Sequence, residues 1–329
     1  MGRKKHSLSS IIHNVSTDSF EKFNWRHKIS NLVEYNNYLV NNPFYNSDHF
    51  SVDLSIDFAT IIIAPYHHSL NDTIYKLYLL GISRYVLKNG YGNCVISHNN
   101  AHYTVFFQII TVNNFFKCCL LKIHDPDLQI LHHVHNLFSG AYLISQVEFT
   151  ADCLAKEHDA LLFLMNHLML LKWPGALLRL NYATIYGNDI RNNKFKGVRL
   201  YEKQLKANLV VRLEIVYKRS YFRKNKINSL LQLNNLSADS VFSYVTFRML
   251  KTKTIINKFK KLLQAIHGDN LAAIDANFQK FKQEFYPELI GGNTRAMAYL
   301  SKALGKGIYA QTVPFDAIFR AKIAGRTFI

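Results

Sequence analysis

The sequence predicts an α+β protein, in which a mostly antiparallel sheet carries helices on one face and is followed by a helical C-terminal region. Strand and helix signals follow the order β-β-α-β-α-β-β-β between residues 104 and 222. Asn113-Asn114 joins the first two strand signals and is typical of a hairpin turn. After Ser229 the apolar residues recur with helical spacing only. We therefore predict a poorly determined N-terminal region (1–100), an α+β core (101–229) and a basic helical C-terminal region (230–329).

Each element of the core has its own local signal. Residues 104–111 and 115–123 are β-branched and aromatic runs, typical of strands. Asp125-Pro126-Asp127 ends the second run and provides a cap for a helix. Further strands are predicted at 142–152, 178–186, 197–203 and 210–222. Helices are predicted at 20–39, 128–138, 156–172, 237–250, 254–266, 271–285 and 293–304.

The charge of the chain indicates a polyanionic partner. Lys and Arg number 40 against 22 Asp and Glu, which gives a formal net charge of +18. No apolar run reaches the roughly 20 residues of a membrane span, and no secretory signal opens the chain. The four cysteines form no CxxC pair, so neither a zinc ribbon nor a disulfide framework is predicted. We expect a cytoplasmic protein that binds no membrane.

The strongest basic segment runs from Lys194 to Lys226, with eleven Lys or Arg against two acids. Aromatic residues such as Tyr217 and Phe222 are interleaved with these charges. Cations neutralise phosphates and aromatic rings stack on unpaired bases, so the segment predicts binding to single-stranded or melted nucleic acid. The alternative is a solvated basic face that protects a sheet edge from aggregation.

Acidic residues lie within the predicted apolar strands. Glu148 and Asp152 are four residues apart and share one face of a strand, and Arg212 and Glu214 share a face of another. A buried carboxylate needs compensation. It comes either from ion pairs with residues such as Arg199 or Arg212, or from a divalent cation, for which oxygen ligands favour Mg²⁺ or Mn²⁺.

The succession Thr184-Ile185-Tyr186-Gly187, Val198-Arg199-Leu200-Tyr201-Glu202-Lys203 and Val211-Arg212-Leu213-Glu214 resembles a motif series of plasmid and filamentous-phage replication initiation factors, the rolling-circle Rep proteins. Upstream, Val147-Glu148-Phe149-Thr150-Ala151-Asp152 looks like the acidic strand of the same family. The resemblance covers residues 104–228, about a third of the chain. Gly187-Asn188-Asp189 departs from the Gly-Ser-Arg found in many relatives.

The resemblance implies a Rep nickase-like core that binds origin DNA and nicks one strand through a tyrosine, leaving a 5′ phosphotyrosine. Tyr201 is then the nucleophile, with Tyr186 as the second candidate. The implied ligands of Mg²⁺ or Mn²⁺ are Glu148, Asp152 and Glu214. The implied phosphate contacts are Arg199, Lys203 and Arg212, within a wider DNA-binding set that adds Lys194, Lys196, Lys218, Arg219 and Arg223.

Other functions stay open at this stage. A non-catalytic DNA- or RNA-binding regulator, or a ribonucleoprotein scaffold, would keep the basic sheet without cleaving. The chain has no Walker loop, so an initiator of this kind would depend on a host helicase. Its C-terminal helices would either contact origin DNA or form a homodimer. His133-Val134-His135 has the spacing of a nickase histidine pair, but it falls in a predicted helix, where residues two apart diverge.

Overall fold

The main element of the structure is an antiparallel sheet whose strands are not arranged in the order of the sequence. The computed structural model describes residues 32–171, 177–180, 183–186, 196–205, 208–281, 283, 304, 307–309 and 312–328. Within them, nine strands form one sheet in the order β2-β3-β4-β1-β5-β10-β9-β8-β7. These strands are β1 (Ser51–Ile63), β2 (Tyr91–His98), β3 (Ala101–Val112), β4 (Phe115–His124), β5 (Leu143–Leu154), β7 (Leu177–Leu180), β8 (Ala183–Tyr186), β9 (Lys196–Leu205) and β10 (Asn208–Lys218). Two short strands, β6 (Met169–Leu171) and β11 (Val245–Phe247), pair separately.

Helices connect and flank these strands. They are α1 (Leu32–Asn41), α2 (Leu70–Leu79), α3 (Arg84–Lys88), α4 (Leu128–Leu137), α5 (His158–Leu168), α6 (Arg219–Lys224), α7 (Ala238–Val241), α8 (Thr252–His267), α9 (Leu271–Lys280) and α10 (Pro314–Ile323). Among the described residues, none of the helices combines the length and the apolar character that crossing a bilayer requires.

The α+β class and the antiparallel sheet agree with the sequence prediction. The predicted hairpin is present, because β3 pairs antiparallel with β4 and the turn residues Asn113 and Asn114 have φ of 50° and 64°. Asparagine tolerates this left-handed region better than other non-glycine residues do. Asp127 caps α4 as expected, since its side chain accepts a hydrogen bond from the Ile130 amide.

The two faces of the sheet differ in chemistry. On β5, Val147 and Phe149 belong to one face, which we call the apolar face, whereas Glu148 and Asp152 belong to the other, the charged face. Helices pack on the apolar face: the ring of Tyr221 in α6 stacks on Tyr217. Phe328, which follows α10, packs on Phe149. Residues close to the C-terminus therefore share one hydrophobic core with the sheet.

Several elements differ from their predicted extents. The strand predicted at 178–186 is a hairpin of β7 and β8. The strand predicted at 210–222 ends at Lys218, where α6 begins, because burial of Tyr221 and Phe222 turns the chain onto the apolar face. The helix predicted at 237–250 is only the short α7, followed by a 3₁₀ turn and β11, whose β-branched and aromatic residues pair with β6.

The sheet also extends into the first hundred residues. β1 lies between β4 and β5, near the middle of the strand order, and β2 forms an edge. The helix predicted at 20–39 coincides with α1 over residues 32–39, and its earlier part lies outside the described residues.

Candidate functional site on the charged face

Cross-strand register gathers the charged side chains on one face. Directly paired residues of an antiparallel sheet point to the same side. Asp152 pairs with Arg212, which pairs in turn with Tyr201, while Glu214 pairs with Arg199. We call the resulting set the charged cluster. It consists of Asp57, Glu148, Asp152, Arg199, Tyr201, Lys203, Arg212 and Glu214.

One part of the charged cluster is built around Arg212. Its Nε and Nη2 each donate a hydrogen bond of 2.6 Å to the two oxygens of Asp152. Its Nη1 donates to Asp57 Oδ1 at 2.7 Å. Both Arg212 and Asp152 are buried. This forked, paired geometry satisfies both groups, as a buried ion pair requires.

The other part is built around Arg199. Its Nη2 donates to Glu148 Oε2 at 2.6 Å, and its Nε lies 2.5 Å from Glu214 Oε2. The Tyr201 hydroxyl donates a hydrogen bond to Glu214 Oε1. Arg199 therefore contacts two carboxylates that are almost completely buried, and Arg212 Nη1 lies 3.9 Å from Glu214 Oε1. Arg199, Glu148 and Glu214 taken together carry more negative than positive charge.

The pKa values of the carboxylates reflect this excess of negative charge. Burial, together with the nearby Glu214 carboxylate, raises the pKa of Glu148 to about 8 despite the opposing effect of Arg199. Burial also raises the pKa of Glu214. For Asp57, burial alone would raise the pKa, but Lys203 and Arg212 together bring it below its ordinary value. The Arg199 part thus favours an additional proton or cation at neutral pH.

The surroundings of Tyr201 disfavour loss of its phenolic proton. Burial and the hydrogen bond to Glu214 raise the pKa of its phenol. A nucleophilic role would therefore need proton transfer to an adjacent base, and Glu214 is within hydrogen-bond reach. The sequence did not predict this Tyr201–Glu214 pair.

Three of the carboxylates are placed to share a cation. Oxygens of Asp57, Glu148 and Glu214 all lie within 4.8 Å of one another. An all-oxygen donor set suits Mg²⁺ or Mn²⁺, and a bound cation would relieve the negative charge that otherwise holds a proton on Glu148. The donor atoms therefore suit such an ion chemically, but in this structure Arg199 contacts Glu148 and Glu214, and Arg212 and Lys203 contact Asp57. Asp152, which the resemblance implied as a ligand, is outside this group and is held by Arg212.

Asp57 is the member that the sequence analysis missed. It lies in β1 where the register with β5 shifts between Ile56 and Phe58, which marks a β-bulge. Bulges commonly redirect a side chain next to functional sites. The alternation of Val52, Leu54 and Ile56 with polar residues is a usable strand signal, but it lies within the N-terminal region (1–100), for which no strand is predicted.

Three of the predicted residues cannot be placed as side chains. Lys194 lies outside the described residues. Tyr186 and Lys196 are described by their backbone only: Tyr186 pairs with Val198, and Lys196 pairs with Tyr217.

The remaining basic residues are divided between two sides of the sheet. Lys203 belongs to the charged cluster, with its Nζ 3.2 Å from Asp57 Oδ1. Lys218 ends β10 with the parity of Glu214 and therefore faces the same side. Arg219 and Arg223 are exposed but belong to α6, which packs against the apolar face. The latter two are thus separated by the sheet from the charged cluster.

Three of the aromatic residues of the basic segment are not part of the stacking surface that the sequence predicted. Tyr217, Tyr221 and Phe222 are buried, because they belong to the core between the sheet and the helices. Among the described residues, strongly exposed aromatic rings lie outside the basic segment, for example Tyr85 in α3 and Tyr91 at the start of β2.

The histidines of the 132–135 segment lie on a helix, as predicted. His135 Nδ1 forms a hydrogen bond of 2.8 Å with the Tyr142 hydroxyl. The ring of His133 instead stacks on that of His98, with ring centroids 4.2 Å apart. His133 and His135 thus have different neighbours, in agreement with their divergence on a helix.

Comparison with protein-family models, curated proteins and solved structures found no match for this chain.

Proposed function

We propose that the protein binds single-stranded or locally melted DNA on the charged face and cleaves one strand through Tyr201, as an initiator of rolling-circle replication would. The observation that carries the proposal is the hydrogen bond from the Tyr201 hydroxyl to the buried Glu214, beside two arginines on the same face. A hydroxyl held by a base and flanked by cations is the arrangement that nucleophilic attack on a phosphodiester needs.

In the proposed reaction the Tyr201 oxygen attacks the phosphorus while its proton passes to Glu214. The bond from phosphorus to the 3′ oxygen breaks, and that oxygen leaves as a 3′ hydroxyl after taking up a proton. The tyrosine is then joined to the 5′ phosphate of the downstream strand. No oxidant or nucleotide cofactor is consumed.

The arginines would have different tasks in this reaction. The Arg199 side chain is 32% exposed, whereas that of Arg212 is 5% exposed and is fixed to Asp152. Arg199 can therefore turn towards a phosphate, while Arg212 maintains the positions of Asp57 and Asp152. When Arg199 is engaged by the phosphate, Asp57, Glu148 and Glu214 would hold Mg²⁺ or Mn²⁺. When bound there, this ion would neutralise charge on the phosphoryl group.

The test is capture of the covalent adduct. The full chain is incubated with Mn²⁺ and a pool of 3′-labelled single-stranded oligonucleotides of random sequence. We expect label to become attached to the protein, and Tyr201→Phe to abolish the attachment. Tyr217→Phe is the matched control, since it removes a buried hydroxyl from the opposite face of β10, where it donates to the Val241 carbonyl.

Two outcomes would contradict the assignment. If Tyr186→Phe abolishes the adduct and Tyr201→Phe does not, the nucleophile is Tyr186. If the wild-type chain binds the oligonucleotides with no adduct under any divalent cation, it does not cleave DNA.

A second function is favoured by a specific observation. Every carboxylate of the charged cluster contacts an arginine or a lysine, and the pKa of Tyr201 is raised rather than lowered. These features suit a non-catalytic DNA- or RNA-binding regulator whose charged cluster stabilises the fold. Binding that persists in Tyr201→Phe, without adduct formation by the wild type, would support this function.

A further inference from the structure

A row of side chains crosses six strands beside the charged cluster. Successive cross-strand pairs join Lys218 to Gln146, Gln146 to Thr60, Thr60 to Lys122, Lys122 to Phe106, and Phe106 to Asn93. Paired residues share a face, so all six lie on the charged face. We call this set the cross-sheet row. Five steps between strands, each of about 4.8 Å, give it a length of roughly 24 Å.

The cross-sheet row is accessible, and its composition differs from that of the charged cluster. All six residues are half-buried or exposed. They comprise two lysines, two amides, one hydroxyl and one aromatic ring, with no carboxylate. The charged cluster, in contrast, contains the buried acids Glu148, Asp152 and Glu214.

Register also connects the row to the charged cluster. Glu148 is the next residue after Gln146 on the charged face of β5, and it pairs with Phe58, which pairs with His124. The Lys122 ammonium lies over the Phe58 ring, 3.8 Å from its centroid. A ligand lying along the row would therefore pass within one residue pair of Glu148.

A further aromatic ring lies at the outer end of the same face. Tyr91 pairs with Gln108, which pairs with Leu120, so these three form the next row along the strands. The Tyr91 side chain is 64% exposed. Exposed rings beside lysines and amides provide stacking surfaces, phosphate contacts and hydrogen bonds together.

We propose that the cross-sheet row is the binding track for the unpaired strand, which crosses β10, β5, β1, β4, β3 and β2 with bases stacked near Phe106 and phosphates near Lys122 and Lys218. This inference rests on the proposed function and adds a path for the substrate. Charge supports the choice of a nucleic acid, because the row has cations and no acid within a chain of net charge +18. The face of an antiparallel sheet also presents its side chains in regular steps that bases can follow.

The experiment measures binding of a fluorescent single-stranded oligonucleotide pool as a function of salt. We expect Lys122→Gln to weaken binding about tenfold and to reduce the slope of log K against log salt by roughly 0.7, the value for one lost phosphate contact on a single strand. The matched control is Lys117→Gln, because Lys117 is exposed on the same strand but lies at a register irregularity outside the row. It should change affinity by less than about twofold.

A second pair of variants tests stacking. Phe106→Ala should weaken binding about tenfold, whereas Phe115→Ala, which removes a 77% exposed ring next to the β3–β4 turn, should not. Because Phe106→Ala also removes a half-buried ring from the sheet, the wild-type chain is photocrosslinked to a strand containing 5-iodouracil as well. We expect the crosslinked peptides to come from β2, β3 and β4.

Failure of this inference differs from failure of the proposed function. Tyr201→Phe should bind the oligonucleotides with the wild-type affinity and salt slope and form no adduct, so loss of the track and loss of cleavage are measured separately. The track is wrong if wild-type protein binds and forms the adduct but the row variants bind equally well and crosslinks fall elsewhere. If the row variants change self-association and leave DNA binding intact, the row is an interface between copies of the chain.

Discussion

The two parts of the charged cluster each place one arginine between two carboxylates, with opposite consequences. Around Arg212, one guanidinium matches Asp152 by a forked pair and reaches Asp57 with its remaining nitrogen. Around Arg199, one guanidinium is shared between Glu148 and Glu214, and the pKa of Glu148 rises to about 8. Lys203 adds a second cation beside Asp57, whose pKa is lowered, whereas Glu148 gains none. The comparison indicates that charge balance, rather than burial alone, decides which carboxylate holds a proton.

The largest effect on stability is expected when each of the two arginines is replaced separately. Arg212→Gln should lower the free energy of unfolding by about 3–5 kcal/mol, because it leaves Asp152 buried without its forked partner. Arg199→Gln should cost only about 1–2 kcal/mol, since Glu148 can keep a proton when its partner is lost. Urea unfolding at pH 7 measures both. Equal losses in the two variants would contradict the distinction between the two parts.

The pH dependence of stability provides the next test. The pKa of Glu148 is about 8 in the folded chain, above its ordinary value of 4.5, so the folded state binds the proton more tightly than the unfolded state does. The contribution of this group to stability therefore falls as the pH rises from about 5 to 8, by up to about 1.4 kcal/mol per pH unit.

Glu148→Gln removes this titration and keeps the shape of the side chain. We expect the urea midpoint of the wild type to fall relative to that of Glu148→Gln across pH 5–8, in the presence of a chelator. A constant difference between the two proteins over this range would show that Glu148 is ionised throughout.

A divalent cation should act on the two glutamates of the Arg199 part together with Asp57, which Arg212 and Lys203 contact. If Asp57, Glu148 and Glu214 hold Mn²⁺, free Mn²⁺ at 100 times its dissociation constant should raise the free energy of unfolding by about 2.7 kcal/mol. Thermal melting with and without Mn²⁺ measures the shift, which Asp57→Asn should remove.

The control for this experiment lies on the other face. Oxygens and nitrogens of His158, Asp159 and Glu202 also come within 4.8 Å of one another, so Glu202→Gln tests whether the ion binds there instead. Stabilisation that survives Asp57→Asn and disappears in Glu202→Gln would refute the site on the charged face.

The sequence was sufficient to predict the alternation of β5, β9 and β10, but not the partners of their side chains. Period-two alternation correctly grouped Glu148 with Asp152, and Arg212 with Glu214. Which acid meets which arginine depends on strand order, and β10 lies between β5 and β9. Asp57 joins the cluster because β1 inserts beside β5, a long-range pairing that local patterns do not encode.

Secondary structure was predictable where local chemistry determines it. Asn113-Asn114 and Asp127 act through their own backbone and through neighbours within three residues, so the hairpin and the start of α4 were predicted correctly. The sequence predicts a strand over residues 219–222, because their aromatic content favours one. Stacking of Tyr221 on Tyr217 stabilises a helix there instead, which is a tertiary contact overriding a local preference.

The smallest effect is expected from Lys203, which contacts Asp57 at the exposed edge of the charged cluster. Lys203 lies 3.2 Å from Asp57 Oδ1, but Arg212 contacts the same oxygen at 2.7 Å and remains if Lys203 is removed. The Lys203 side chain is also 32% exposed, so water can replace it. Lys203→Gln should therefore cost less than about 1 kcal/mol of stability. It should still raise the pKa of Asp57 towards its ordinary value, because one of the two cations that lower it is gone.

Urea unfolding at pH 7 measures the change in stability. A loss above about 2 kcal/mol would mean that Lys203 belongs to the buried ion-pair network around Arg212 rather than to its solvent-exposed edge.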